Sequence, residues 1–285
     1  MLIISSGGVN ISISCSQSLY IMLIGSEFMR SYIPGVESLI EKIANSKFTL
    51  EITESPSVSF TFFGNTALLK GKVGENLSIE DIVTVIDYCL EYLRQKIGIY
   101  CVHGSAVNYK GLGILILGGV SGLGKTTLAL NLCTEKKAAF IGDEKILLQN
   151  DRLIGGVKRI VYNKQWLYKS TPKEKIKNMH IEDKETKLEL VIQPNIFSKG
   201  KGIEIDLLDK LKANFHIYEE MSRKIRGVSR RISNFAYPLM SLDSYEISKK
   251  RSEYAKSLSE NVPFYSIKGN INEVMNQIVD ILSKN

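Results

Sequence analysis

A glycine-rich segment is the part of the sequence whose residue types point most clearly to chemistry. The run from Gly119 to Thr126 fits the pattern G-x-x-x-x-G-K-[ST] without a gap. Glycines let backbone N–H groups crowd around phosphate oxygens, where a side chain would collide. We expect Lys125 to reach the β- and γ-phosphate oxygens and the Thr126 hydroxyl to ligate Mg²⁺. The predicted nucleotide-binding residues are Gly119, Val120, Ser121, Gly122, Leu123, Gly124, Lys125, Thr126 and Thr127.

An acidic pair follows the glycine-rich segment, at Asp143 and Glu144. Mg²⁺ bound to a nucleotide also needs a carboxylate, and Asp143 is the natural candidate, directly or through water. A carboxylate near the γ-phosphate can also accept the proton of an attacking hydroxyl group. Either acid could be that base, and the alternative for Glu144 is a solvated loop residue.

His103 lies just ahead of two apolar runs that read as a hairpin. If the hairpin folds back beside the glycine-rich segment, His103 would lie near the catalytic edge. The alternative is a hydrogen-bonded histidine of the core, since the surrounding stretch is mostly apolar.

A basic cluster lies near Gly227 and contains no acid. It could supply a cation to a phosphoryl-transfer transition state, hold an anionic substrate or nucleic acid, or form an exposed turn. Its members are Arg223, Lys224, Arg226, Arg230 and Arg231.

The elements around the glycine-rich segment predict an α/β fold. Ser105–Tyr109 and Gly113–Leu117 read as two strands joined by a tight turn, and the second leads into the glycine-rich segment. Thr126–Cys133 reads as a helix and Ala138–Ile141 as a buried strand. This order of strand, loop, helix and strand is typical of a mononucleotide-binding core.

Residues 1–96 read as a separate, smaller α+β unit that is rich in β-strands and has no assigned role. Its helix is predicted to begin after Ser78, with Asp81 completing the cap. Its predicted strands are Asn10–Ser14, Phe48–Ile52, Val58–Phe62 and Thr66–Lys70.

Residues 97–285 are predicted to form the catalytic domain. Within them, we expect 163–202 to be a mobile surface excursion, because lysines, two prolines and a polar middle leave no clear pattern. Residues 204–222 read as a helix, and Asn270 with Glu273 is predicted to cap a last amphipathic helix.

Composition limits the class of protein. The chain has 285 residues, of which 44% are hydrophobic and 24% charged, and this excludes a disordered chain. No apolar run is long enough to cross a bilayer and the first residues lack a basic segment, so we expect a cytoplasmic protein without a membrane partner. Residues 1–150 have a net charge of −1 and residues 151–285 a net charge of +8, which could steer an anionic ligand.

The residues from His103 through the glycine-rich segment to Glu144 resemble the catalytic domain of HPr kinase/phosphorylase and its relatives. The segment Val262–Lys268, before the last helix, is also similar to the end of many relatives. The resemblance implies a P-loop core related to HPr kinase and phosphoenolpyruvate carboxykinase. It also implies an ATP-dependent serine kinase, and relatives include kinases that modify the serine of small peptides.

Carried over by position, the family's acidic pair falls on Asp143 and Glu144 and its histidine on His103. The second acid of the pair is an aspartate in the family proper but Glu144 in this chain. The family's later signature segment and its usual N-terminal unit are not evident.

Three functions follow as hypotheses. The first is a kinase that uses ATP and Mg²⁺ to phosphorylate a hydroxyl group, most naturally a serine of a peptide or protein. The second is a kinase of a small metabolite or of an RNA hydroxyl, with a nucleic-acid partner suggested by the basic half of the chain. The third is a regulator that binds nucleotide without transferring phosphate. A homo-oligomer is compatible with all three.

Overall fold

The computed structural model describes residues 2–39, 46–118, 122–158, 179–197, 202–227 and 230–284. Within these residues the chain is mixed α/β, with sixteen strands and seven helices. The strands are β1 (Leu2–Ser6), β2 (Val9–Ser14), β3 (Val36–Leu39), β4 (Thr49–Thr53), β5 (Ser59–Phe63), β6 (Thr66–Lys70), β7 (Ile99–Val102), β8 (Gly104–Tyr109), β9 (Leu112–Leu117), β10 (Ala139–Gln149), β11 (Arg152–Val157), β12 (Thr186–Ile196), β13 (Glu204–Leu207), β14 (Arg231–Ile232), β15 (Tyr237–Pro238) and β16 (Phe264–Gly269). The helices are α1 (Gln17–Ile24), α2 (Glu27–Tyr32), α3 (Ile79–Lys96), α4 (Lys125–Lys136), α5 (Lys210–Ser222), α6 (Tyr245–Asn261) and α7 (Ile271–Lys284).

The chain divides into two compact units. The first contains Met1–Tyr100 and Met221–Arg251, and the second contains Cys101–Glu220 and Ser252–Asn285. None of the helices in the described ranges is long and apolar enough to cross a membrane.

A six-stranded mixed sheet forms the centre of the first unit, in the order β3-β1-β2-β4-β6-β5. Helix α3 begins where predicted, because the Ser78 hydroxyl accepts from the Asp81 N–H and the Asp81 carboxylate accepts from the Ser78 N–H. The spacing of Val83, Ile86 and Leu90 places all three in the hydrophobic core of this unit. The predicted strands of this unit are confirmed to within one residue at each end.

The segment Met221–Arg251 lies in the first unit, whereas the sequence-based division placed it in the catalytic domain. A buried network of charges connects this segment to α3. Arg230 donates to Asp87 at 3.0 Å, and Asp87 also accepts from Arg94 at 3.0 Å. Arg251 donates to the Gln95 side-chain oxygen at 2.7 Å. These contacts link residues far apart in sequence, which local patterns do not predict.

The second unit contains a mixed sheet in which seven strands follow the order β11-β10-β8-β9-β12-β16-β13. A further pairing of β11 with β12 closes five of these strands into a ring. The predicted hairpin is confirmed, because β8 pairs antiparallel with β9 and both Lys110 and Gly111 have positive φ. Helices α4 and α7 pack in the core of this unit, and Asn270 and Glu273 cap α7 as predicted.

Two sequence-based predictions in the second unit are wrong. Part of the predicted surface excursion is β12, which lies inside the sheet between β9 and β16 and pairs parallel with both. The predicted helix over 204–222 begins only at Lys210, because residues 204–207 form β13 at the edge of the sheet. The run Leu188–Ile192 is apolar except for Glu189 and is buried or half-buried, and its burial outweighs the polar residues on both sides.

Candidate functional site

The start of α4 fixes the backbone of the site. Gly124 is the N-cap and has a φ of 92°, and a Cβ there would lie 2.6 Å from Ile196 Cγ1. Only glycine satisfies both conditions. The first turn of α4 contains no acidic residue, so its N–H groups and its positive dipole end favour an anion.

Lys125 is the first residue of α4, and its side chain is 8% exposed. Its Nζ donates to the Gly118 carbonyl oxygen at 3.0 Å. Burial lowers the pKa of Lys125, and the negative charges of Glu144 and Glu220 oppose that shift. The side chain thus holds its ammonium group beside the backbone that precedes the glycine-rich segment.

Asp143 lies in β10 and is buried. Its carboxylate accepts hydrogen bonds from the Thr126 hydroxyl, at 3.0 and 3.1 Å, and from the Ser105 hydroxyl. Burial raises the pKa of Asp143, and the hydrogen bond from Ser105 partly offsets the increase. The Asp143 carboxylate is therefore fixed against the hydroxyl that the motif predicts as a metal ligand.

Glu144 differs from Asp143 in both backbone and exposure. Its φ is 65°, a left-handed conformation that a residue with a Cβ rarely adopts, and its side chain is 44% exposed. His103 Nδ1 lies 3.0 Å from the Glu144 carbonyl oxygen and 3.3 Å from its carboxylate Oε2. When Nδ1 carries a proton, it donates to Glu144 and holds that residue in place.

Two close approaches of backbone flank the strands that carry Ser105 and Asp143. A Cβ at Gly104 would lie 2.6 Å from the Ile116 carbonyl oxygen, and one at Gly142 would lie 2.7 Å from Gly156 Cα. Gly104 precedes Ser105 and Gly142 precedes Asp143. Glycine at these positions lets β8 lie close against β9 beside Ser105, and β10 close against β11 beside Asp143.

Five of the predicted site residues lie together in the second unit, where they form hydrogen bonds with one another or interact through their charges: His103, Lys125, Thr126, Asp143 and Glu144. Gly122, Leu123, Gly124 and Thr127 are adjacent in sequence to Lys125 and Thr126, whereas Gly119, Val120 and Ser121 lie outside the described residues. Sequence reasoning missed Ser105, although it stands two residues after His103 in the stretch that carried the resemblance.

The oxygen atoms of the site suit Mg²⁺. Mg²⁺ prefers one or two protein oxygens and takes its remaining ligands from phosphates and water. The Thr126 hydroxyl and the Asp143 carboxylate, which contact each other, provide such a pair. In the described ranges, the structure contains no group of three or more His, Cys, Asp or Glu side chains that could hold a metal ion.

The basic cluster near Gly227 belongs to the first unit. There Arg230 is buried and bonded to Asp87, and Arg226 lies 3.8 Å from Asp243. Among the described residues of the cluster, these two arginines therefore have structural ion pairs within the first unit.

Comparison with models of known protein families finds no match, and no curated protein matches the chain either.

Proposed function

We propose that the protein is an ATP-dependent kinase that transfers the γ-phosphoryl group to a hydroxyl group, most naturally a serine of a peptide or protein. One observation carries the proposal. Lys125 and Thr126 begin a helix with a glycine N-cap, and the Thr126 hydroxyl is bonded to the buried carboxylate of Asp143. This is the arrangement that phosphoryl transfer needs at the phosphates and the metal.

Nucleotide binding uses the start of α4. Backbone N–H groups of its first turn hold the phosphate oxygens, and Lys125 provides a positive charge for the β- and γ-phosphates. The Thr126 hydroxyl and the Asp143 carboxylate would hold Mg²⁺. When bound, the metal neutralises charge that develops on the phosphate oxygens.

Glu144 is the residue that we assign as general base. Asp143 is buried and accepts from two hydroxyl groups, whereas the Glu144 carboxylate is exposed and next to His103. In the reaction, the acceptor hydroxyl loses its proton to Glu144 while its oxygen forms a bond to the γ-phosphorus. The bond from that phosphorus to the bridging oxygen breaks, and ADP leaves with the electron pair. His103 positions Glu144 through its backbone and carboxylate oxygens.

The resemblance to HPr kinase/phosphorylase supports the same assignment. The residues that carry it, namely His103, the glycine-rich segment and the acidic pair, include those that contact each other in the second unit. A serine acceptor and a P-loop core follow from that resemblance and belong to the proposal. Glu144 in place of an aspartate extends the base by one methylene group.

A transfer assay tests this function. The protein is incubated with γ-labelled ATP, Mg²⁺ and cell extract, and the products are separated by size. We expect a labelled peptide or protein with the wild type and with Lys136→Ala, which changes a half-buried lysine at the other end of α4, but none with Lys125→Ala. Equal labelling by Lys125→Ala would contradict the proposal.

The same assay separates the alternatives. Label that depends on Lys125 but appears in nucleic acid or small molecules would show that the acceptor is not a peptide or protein. Nucleotide binding without any labelled product would favour the non-enzymatic regulator.

A further inference from the structure

The edge strand β13 has an unusual exposure for a strand of the second unit. All four of its residues are exposed, and Ile205 and Leu207 remain 42% and 56% exposed. Leu211 and Phe215 follow on α5, one helical turn apart, and are 79% and 63% exposed. We call the residues Glu204–Leu207 with Leu211 and Phe215 the edge surface. In the part of the chain that the structure describes, no strand pairs with β13 on the side away from β16, and we call this side the open edge. Exposed apolar side chains on such an edge are typical of a docking site.

The backbone of β13 is oriented for pairing with another strand. Beside β13, the Leu208 N–H donates to the Phe264 oxygen at 2.9 Å, so Leu208 faces β16. In an antiparallel pair, alternate residues direct their N–H and C=O groups to opposite sides. Ile205 and Leu207 therefore direct these groups away from β16, toward the open edge.

The charges of β13 restrict which strand can pair with it. Glu204 and Asp206 lie on one face of the strand, and Ile205 and Leu207 lie on the other. On the inner side, β16 places Lys268 opposite Glu204, at 3.1 Å, and Ile267 opposite Ile205. A strand on the open side meets the same alternation and is favoured when it also alternates basic and apolar residues. A second copy of β13 would instead bring acids against acids, and this repulsion disfavours a homodimer through this edge.

We propose that the acceptor peptide docks on the edge surface as an added strand beside β13. Its apolar side chains would lie next to Ile205 and Leu207 and a basic side chain next to Asp206. The proposal rests on the proposed kinase function and adds a substrate class, namely peptides with an alternating basic and apolar segment. Main-chain pairing supplies affinity, and the alternate side chains supply specificity.

The sheet order sets the distance from the docked segment to the site. Strands β9, β12, β16 and β13 are successive neighbours, and β9 leads into the glycine-rich segment. A strand added beyond β13 lies four spacings from β9, which is about 19 Å at ~4.8 Å per spacing. An extended chain covers that distance in about six residues. Because β13 runs antiparallel to β16, and β16 and β12 run parallel to β9, the peptide must leave toward the site at its end beside Glu204.

Binding of a synthetic peptide tests the edge surface. The probe is a fluorescent peptide that alternates lysine with isoleucine and tyrosine, followed or preceded by a spacer of about six residues and one serine. We expect Asp206→Lys to weaken binding about tenfold, and a probe with glutamate in place of lysine to bind the wild type about tenfold more weakly. Asp280→Lys makes the same charge change on the exposed face of α7 and should leave binding unchanged. Equal binding to Asp206→Lys and the wild type would overturn the proposal.

A second variant tests the main-chain pairing. Leu207→Pro removes an N–H that faces the open edge and leaves the hydrogen bonds to β16 in place. We expect it to weaken binding about tenfold. Unchanged binding of the probe to a folded Leu207→Pro variant would exclude an added strand. If Leu207→Pro does not fold, the comparison of Asp206→Lys with the wild type still tests the edge surface.

Transfer to the probe separates this proposal from the kinase function. Labelling of the serine that falls about tenfold in Asp206→Lys, with unchanged ATP binding, supports both. Labelling that is equal in wild type and Asp206→Lys would refute the edge surface and leave the kinase intact. Probe binding at β13 without labelling of either the probe or the cell extract would support the docking surface and refute the kinase function. A dimer that Leu207→Pro dissociates would assign the edge to a second copy and overturn the proposal.

Discussion

Glu144 combines an unfavourable backbone conformation with an exposed carboxylate beside His103. A left-handed φ costs a residue with a Cβ about 1 kcal/mol, and such strain is concentrated at functional sites. The carboxylate is therefore held beside His103 at a cost in local stability.

Opposite effects on stability and activity are therefore expected at Glu144. We predict that Glu144→Gly raises the free energy of unfolding by about 1 kcal/mol, because glycine adopts a φ of 65° without strain. The same variant, and Glu144→Gln, should lose transfer by about 10²- to 10⁴-fold, since both lack the base. Urea denaturation and initial rates measure the two effects. Full activity in Glu144→Gln would show that another group accepts the proton.

Asp143 makes stability depend on pH. Burial raises the pKa of Asp143 above its unfolded value, so the folded state favours the protonated acid. Its contribution to stability is complete below the unfolded pKa and is lost as pH rises through the folded pKa. At neutral pH, the ionised Asp143 is therefore destabilising.

We predict that Asp143→Asn melts about 3 °C higher than the wild type at pH 7. The difference should vanish in acid, where the wild-type carboxyl is protonated. Thermal unfolding across pH measures it, with the exposed Asp280→Asn as a control that should show no gain. A lower melting temperature for Asp143→Asn at pH 7 would mean that the bonds to Ser105 and Thr126 outweigh burial.

Motif spacing predicted Lys125, Thr126 and the acidic pair as site residues, because the pattern that indicates them lies in a few adjacent residues. Ser105 was missed because its role depends on strand pairing. It bonds to Asp143 across 38 positions of sequence, and only the placement of β8 beside β10 brings the two together. A serine hydroxyl has no local signal for such a contact.

At the scale of elements, α3 anchors the segment Met221–Arg251 through buried charges. Asp87 is fully buried and accepts from Arg94 and Arg230, one from α3 itself and one from that segment. A buried acid between two arginines stabilises only while all three are present, because an isolated buried charge is costly.

We predict that Asp87→Ala lowers the free energy of unfolding by about 3–5 kcal/mol, since both arginines lose a buried partner. Arg231→Ala changes an exposed arginine of the same segment and should alter it by less than about 0.5 kcal/mol. Chemical denaturation of the two variants makes the comparison. Equal midpoints would mean that the network does not anchor the segment.

Elements with strong periodicity or caps were predictable from sequence, and α3, α7 and the hairpin of β8 and β9 are confirmed. Strand β12 was not, because it contains Pro194 and alternates in polarity only in part. A proline is unfavourable inside a sheet since it lacks an N–H. Tertiary burial of Leu188, Leu190 and Ile192 determines this strand, and burial is not visible in local sequence.

At the scale of the whole molecule, the predicted boundary after residue 96 lies close to the division at Tyr100, but neither unit is continuous in sequence. The chain passes into the second unit after Tyr100 and re-enters the first unit at Met221. No sequence pattern indicates the point of re-entry. The net charge of +8 on residues 151–285 is consequently divided between the two units.

The most direct test is calorimetric binding of ATP and of GTP, each with Mg²⁺, to the wild type, Lys125→Ala and Lys136→Ala. We predict that the wild type and Lys136→Ala bind a nucleoside triphosphate with equal affinity. Lys125→Ala should bind it at least about tenfold more weakly, because the charge beside the phosphates is lost. Absence of binding to the wild type, or equal binding to Lys125→Ala, would contradict a nucleotide site at the start of α4.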